Sequence, residues 1–136
     1  MSRPFGGFID RKIGQIDAAY ADYLSRGFPT ADFEDQPEPE TLQCRNEHDR
    51  TNWLALLLKC QAASALGAGA VPCDPPLRCS SNRMYAVSYD DAQARLWALF
   101  AQAAGAQANW WALKDATRAC EKREDLELID ITGGYP

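Results

Sequence analysis

The sequence predicts a mainly α fold with a small antiparallel β-hairpin, an α+β arrangement. Its order is N-terminal helix, strap, helix, hairpin, one long helix and a short C-terminal helical turn. Three observations predict this. From Tyr89 to Glu121, Ala92, Leu96, Leu99, Ala103, Ala106, Trp110, Leu113, Thr117 and Cys120 recur at alternating spacings of 4 and 3, a heptad-type seam. The same alternation runs through Ile9, Ile13, Ile16, Tyr20 and Tyr23. Between the helices, Leu77–Cys79 and Met84–Val87 flank the polar tetrad Ser80-Ser81-Asn82-Arg83, the pattern of a hairpin with a four-residue turn. The expected division is an N-terminal helix over 1–28, an acidic strap over 29–41 and a helix–hairpin–long-helix domain over 42–136.

The first helix is expected from about Phe8 to Arg26. Asp10, Arg11, Lys12, Asp17 and Asp22 occupy its opposite face, and Gly27 stands where a C-terminal stop belongs. Two readings are open: an amphipathic helix lying on its own domain, or a short coiled coil between copies. Two heptads alone are marginal, so the second reading needs support from the rest of the chain.

Phe28–Thr41 follows as a connector. Its five acids (Asp32, Glu34, Asp35, Glu38, Glu40) and its prolines Pro29, Pro37 and Pro39 leave little to bury. The prolines hold their neighbours extended, which predicts a stiff, solvated strap. Leu42–Arg45 is a candidate third strand for the hairpin. Asn46 then offers an N-cap with Asp49 in the first turn, opening a helix over about 47–66. One stripe of that helix is Trp53, Leu57, Cys60 and Ser64, and an adjacent one is Leu54, Leu58 and Ala62, as for a helix covered on two sides.

Ser88 is placed to cap the long helix. At about 1.5 Å per residue that helix spans roughly 50 Å, so a rod with smaller elements leaning on it is expected. Its middle, Ala101–Ala108, has almost no bulk, and Gly105 costs up to about 1 kcal/mol against alanine there. The expectation is a kink or close helix crossing at Gly105, with the bulky ends packed on the hairpin and on the Trp53 helix. Trp110 and Trp111 point about 100° apart, which assigns one to the core and the other to a second surface. Leu126, Leu128 and Ile129 suggest a last helical turn, followed by an extended tail.

Composition narrows the class. The chain has 136 residues, 46% apolar and 24% charged, with Lys+Arg 14 against Asp+Glu 19 and a formal charge of −5. One domain of soluble type fits these values. The negative balance argues against nucleic acid as a direct partner and against anionic lipid. The longest apolar run, Trp53–Leu58, is far short of the roughly 20 residues of a membrane span. The N-terminal stretch lacks the apolar core of a secretory signal, so cytoplasmic folding is expected. The five cysteines are then expected as free thiols.

Reactive signatures are sparse. The single histidine, His48, lies four residues after Cys44. A zinc site would need further ligands, and Cys73 and Cys79 are spaced more widely than paired zinc ligands. A Cys44–His48 catalytic pair would need an orienting group and an oxyanion hole that nothing in the sequence supplies. No phosphate loop, dinucleotide fingerprint or nucleophile elbow occurs. No enzyme activity, cofactor or metal is expected.

The order of motifs is informative as a whole. Asp10-Arg11-Lys12-Ile13-Gly14-Gln15-Ile16-Asp17-Ala18-Ala19-Tyr20, followed by Arg26-Gly27-Phe28-Pro29, resembles the opening helix of small phage and prophage virion proteins. Leu42-Gln43-Cys44-Arg45 and Asp49-Arg50-Thr51-Asn52-Trp53-Leu54 resemble their next segment. Trp111-Ala112-Leu113-Lys114-Asp115-Ala116 with Leu126–Pro136 is similar to an uncharacterised domain family of phage tail-fibre and tail-associated proteins. The ending Gly133-Gly134-Tyr135-Pro136 departs from the Gly-Trp-Pro ending of that family.

This resemblance implies a virion structural part, located in a phage or phage-like particle assembled in the bacterial cytoplasm. Its partners would be other virion proteins and copies of itself, and its role that of a base or anchor for a fibre or spike at the tail or capsid vertex. The alternative is an assembly chaperone that leaves the finished particle. The residues expected at the oligomer or partner interface are Ile9, Ile13, Ile16, Tyr20, Tyr23, Ala103, Ala106 and Trp110, so leucine at Ala103 or Ala106 is expected to disturb assembly more than folding.

Overall fold

The computed structural model describes residues 4–136, and the first three residues of the expected N-terminal segment lie outside them. Four helices and two short strand pairs follow in the order α1 (Pro4–Ser25), β1 (Phe28–Pro29), β2 (Thr41–Leu42), α2 (Glu47–Ala65), β3 (Leu77–Arg78), β4 (Met84–Tyr85), α3 (Tyr89–Ala119) and α4 (Arg123–Glu127). The protein is mainly helical with two antiparallel strand pairs, the α+β class that the periodicity predicts.

The helix boundaries follow the cap chemistry of the sequence. Helix α1 stops at Gly27, whose φ of +73° is the left-handed conformation that ends a helix. A Cβ at Gly27 would sit 2.9 Å from Thr41 Oγ1 and 3.1 Å from the Leu42 carbonyl, so both backbone and space require glycine. Asn46 caps α2 by accepting from the Asp49 amide at 3.0 Å, and Ser88 caps α3 by accepting from the Asp91 amide at 3.1 Å.

The chain forms two compact units: residues up to Tyr23 with Ala103–Pro136, and Leu24–Gln102. In the first unit, Ile16, Ala106, Thr117 and Leu126 are buried. The Thr117 hydroxyl is satisfied by donating to the Leu113 carbonyl at 2.8 Å. Tyr20 stacks on Trp110 with centroids 4.6 Å apart and planes 6° from parallel, and the Trp110 indole donates to Asp17 at 2.8 Å. Lys114 pairs with the same carboxylate at 3.3 Å.

The tail closes over this cluster. Tyr135 stacks on Tyr23 at 4.6 Å, the Tyr23 hydroxyl donates to the Pro136 carbonyl at 2.6 Å, and the Asn109 amide donates to the Gly133 carbonyl at 2.9 Å. Each aromatic pair contributes roughly 0.5–1.5 kcal/mol beyond its buried area.

The second unit is built around Phe28, Leu42, Cys44, Cys60, Leu77 and Leu96, all essentially inaccessible. Strand β1 pairs with β2 (Phe28 opposite Leu42) and β3 with β4 (Leu77 opposite Tyr85). Leu42–Arg45 therefore does not extend the hairpin as expected. Gly27 delivers Phe28 directly beside Leu42, which gives β2 a nearer partner. The link to the hairpin is local: the Ser80 amide donates to the Thr41 carbonyl at 2.9 Å, and the Thr41 hydroxyl to Ser80 Oγ at 2.8 Å.

Three further expectations are corrected. The strap is anchored rather than simply solvated. Phe33 is buried between Tyr85, stacked at 3.9 Å, and the Arg95 guanidinium, 3.8 Å from the ring centroid. Arg95 also donates to Thr30 Oγ1 at 3.1 Å and to the carbonyls of Ala31 and Asp32, while Glu40 is buried and accepts from Ser81 and Tyr85 at 2.9 and 2.8 Å. Helix α2 is covered on one side only: Leu56, Leu57 and Cys60 are buried, but Leu54 and Leu58 remain 48% and 58% exposed. Finally, α3 continues through Gly105, where a Cβ would meet only Pro136 Cγ at an ordinary 3.6 Å. No close crossing within the chain requires this glycine.

Candidate functional site

The residues expected at an interface are largely engaged within the chain. Ile16, Ala103 and Ala106 are buried in the first unit, and Ile9, Ile13, Tyr20, Tyr23 and Trp110 are half-buried. The structure brings Tyr20, Tyr23 and Trp110 together around Tyr135, so the aromatic part of the two seams closes an intramolecular cluster. Within the first unit, the end of α3 at Trp110 thus packs on α1 and the tail. Trp111 points outward and is 54% exposed while Trp110 is half-buried, so the two rings face different ways, as the 100° offset predicts, though neither is a core residue.

A concavity among the described residues lies in the second unit, between the first turns of α2 and the hairpin. It encloses about 530 Å³ and is lined by Gln43, Asp49, Asn52, Trp53, Leu56, Pro75, Pro76, Arg78, Cys79, Asn82 and Met84. Local chemistry builds each wall. The Trp53 indole donates to the Gln43 carbonyl at 2.5 Å, fixing the ring between helix and chain. Cys79 N–H donates to the Arg83 carbonyl and Asn82 N–H to the Cys79 carbonyl, both at 2.9 Å. Asn82 adopts φ +70° in that turn, a conformation asparagine tolerates better than most residues. Met84, opposite Arg78 in the strand pair, is an exposed flexible apolar group at the rim.

Two of the titratable groups of this groove, Asp49 and Cys79, are already committed. Asp49 accepts from the Arg45 amide and from Arg45 Nε, both at 2.9 Å. The Arg45 side-chain hydrogen bond holds its carboxyl below the usual range, against a smaller upward push from burial. Burial, assisted by Glu40, pushes the Cys79 thiol up to about 11, so it is protonated at neutral pH and a poor nucleophile. Arg78 makes no ion pair among the described residues. The groove thus combines the apolar groups Trp53, Leu56, Pro75, Pro76 and Met84 with Arg78 and Asn82 as polar neighbours.

The Cys44–His48 pair considered from sequence has a different geometry. Cys44 is inaccessible and burial pushes its thiol up. His48 is exposed, with Asn52 Nδ2 3.4 Å from its Nε2. All five cysteines are free thiols. Among the described residues no group of three or more His, Cys, Asp or Glu is disposed to hold a metal ion, and no helix is long and apolar enough to cross a membrane.

Sequence reasoning missed the groove because it draws on three separated segments. The Pro75-Pro76 pair ahead of the hairpin and the outward Met84 were its only local signals. Comparison with protein-family models, with curated proteins and with solved structures found no match for this chain.

Proposed function

We propose that this protein is a structural part of a phage or phage-derived particle, an oligomeric base that anchors a fibre or spike at the tail or a capsid vertex. The observation that carries the reading is the groove of the second unit. Trp53, Leu56, Pro75, Pro76 and Met84 offer it apolar walls, while its carboxylate is tied up by Arg45 and its thiol is held protonated. Such a site favours docking over bond making. The outward Leu54 and Leu58 on α2 add apolar surface on a helix whose opposite face is already used. The order of motifs along the whole chain, resembling small virion proteins, supplies the biological setting.

A groove-based anchor predicts a definite mutational result. Trp53→Ala with Met84→Asp removes an aromatic wall and places a charge at the apolar rim. Particles made with this variant should lose the protein, or the fibre it holds, while the purified variant keeps its helical signal by circular dichroism. A variant incorporated at the normal level, with fibres in place, contradicts the anchor reading. Normal function with the protein missing from finished wild-type particles points instead to the assembly chaperone.

A further inference from the structure

A second, smaller cleft lies in the first unit, where α1 meets α4. It encloses about 160 Å³ and is lined by Phe8, Arg11, Lys12, Gln15, Arg123, Leu126 and Glu127. Three of these side chains are cationic and one is anionic, in a chain whose formal charge is −5. The Arg11 and Arg123 guanidinium carbons lie 5.8 and 4.6 Å from the centroid of the Phe8 ring, so two like charges converge on one aromatic side chain. The Arg123–Glu127 contact is 3.4 Å with both groups well exposed, a kind of ion pair that is weak and readily exchanged, and it leaves the cleft lining with three cations against one carboxylate. Arg11 has no ion pair among the described residues. The Asp130 carboxylate accepts from the Thr132 amide and hydroxyl at 3.0 and 2.9 Å, and the Lys12 charge is a smaller influence on it than those bonds.

The second unit carries the complementary surface. Glu34, Asp35 and Glu38 are exposed and make no ion pair among the described residues. Asp35 sits at φ +60° in a tight turn, and the adjacent Phe33 is clamped between Tyr85 and Arg95. The Gln36 side chain closes the turn by accepting from the Phe33 amide at 2.7 Å and donating to Asp32 at 2.9 Å. These acids are therefore presented on a preordered loop, which lowers the entropy cost of binding.

We propose that the cleft of one copy receives the acidic strap of a second copy, with Arg11, Lys12 and Arg123 facing Glu34, Asp35 and Glu38. The two surfaces differ, so the contact is heterologous and repeats from copy to copy, giving a ring if the rotation closes and a filament if it does not. Its strength is electrostatic and falls with salt, because the Debye length shortens from about 30 Å at 0.01 M to about 8 Å at 0.15 M. The contact would supply the oligomer of the anchor reading. It is nevertheless tested on purified protein, where particle composition plays no part and the two readings fail separately.

The experiment is a charge swap followed by sedimentation velocity in low and high salt, with helicity checked by circular dichroism. One variant carries Arg11→Glu and Arg123→Glu, the other Glu34→Lys and Glu38→Lys. The wild type should self-associate at about 0.01 M salt and lose at least about tenfold in association by 0.15 M. Each variant alone should be monomeric, and an equimolar mixture should associate again, because each reversed surface then meets its complement. Should the first variant lose helicity, Arg11→Gln replaces it and should weaken association on its own. A wild type that stays monomeric at low salt, a reversed variant that associates like the wild type, or a mixture that stays monomeric overturns the proposal.

Discussion

At the residue scale, Asp49 concentrates more structural work than its position in a first helical turn suggests. Its amide is capped by Asn46, and its carboxylate ties the Arg45 amide and guanidinium to the start of α2. Because the Arg45 bond lowers the folded-state pKa, the carboxylate adds stability above its ordinary pKa of about 3.9 and loses it as pH falls through the depressed folded value. Asp49→Ala should cost about 1–3 kcal/mol at pH 7, read as a lower urea midpoint, and the gap to wild type should shrink below about pH 4. A gap that persists unchanged in acid would assign the loss to packing rather than charge.

The cysteines permit an equally specific test. Cys44, Cys60, Cys73 and Cys79 are buried with their thiols pushed up by burial, and Cys120 is partly accessible. A thiol reagent at pH 8 should therefore modify Cys120 first and the other four only as the protein unfolds. Rapid modification of Cys44 in the native state would contradict this burial.

At the scale of elements, the seam of α3 changed meaning once it was placed. The spacing correctly identified the inward stripe, since Ala92, Leu96, Leu99, Ala103, Ala106 and Thr117 are all buried. Periodicity reports which face is apolar, but it carries no information on whether the covering surface belongs to the same chain. Here Tyr20 of α1 stacks on Trp110, the seam residue that follows Ala106, and on Tyr135 of the tail, all in the same chain. Ala106→Leu should consequently cost about 1–3 kcal/mol of folding stability by overpacking, whereas exposed Ala104→Leu should stay within about 0.5 kcal/mol. Urea denaturation of the two variants checks both, and equal effects would mean that the stripe is not packed as described.

The strap teaches a related lesson. Its acids and prolines advertised a solvated connector, and a single aromatic among them decides otherwise. Phe33→Ala should cost about 3 kcal/mol and free the strap to proteases, a change visible as new cleavage between Thr30 and Thr41. Unaltered proteolysis would contradict the clamp.

For the whole molecule, the helices, their caps and the hairpin were legible because each is written in local spacing. The two-unit organisation and the groove were not. The first joins α1 to residues some ninety positions later, as in the Asp17–Trp110 contact, and the second assembles Gln43, Trp53, Pro75 and Met84 from distant segments. Contacts of that range leave no periodic trace in a single sequence. The proposed anchor role rests on the apolar walls of this groove and on the outward leucines of α2.

The most direct test of that reading is the protein's place in finished particles. Electron cryo-microscopy of purified particles, with mass spectrometry of the same preparation, should find the chain at a fixed copy number beneath a fibre or spike, with density in the Trp53–Met84 groove. Particles that carry complete fibres or spikes and no trace of this chain would contradict the account.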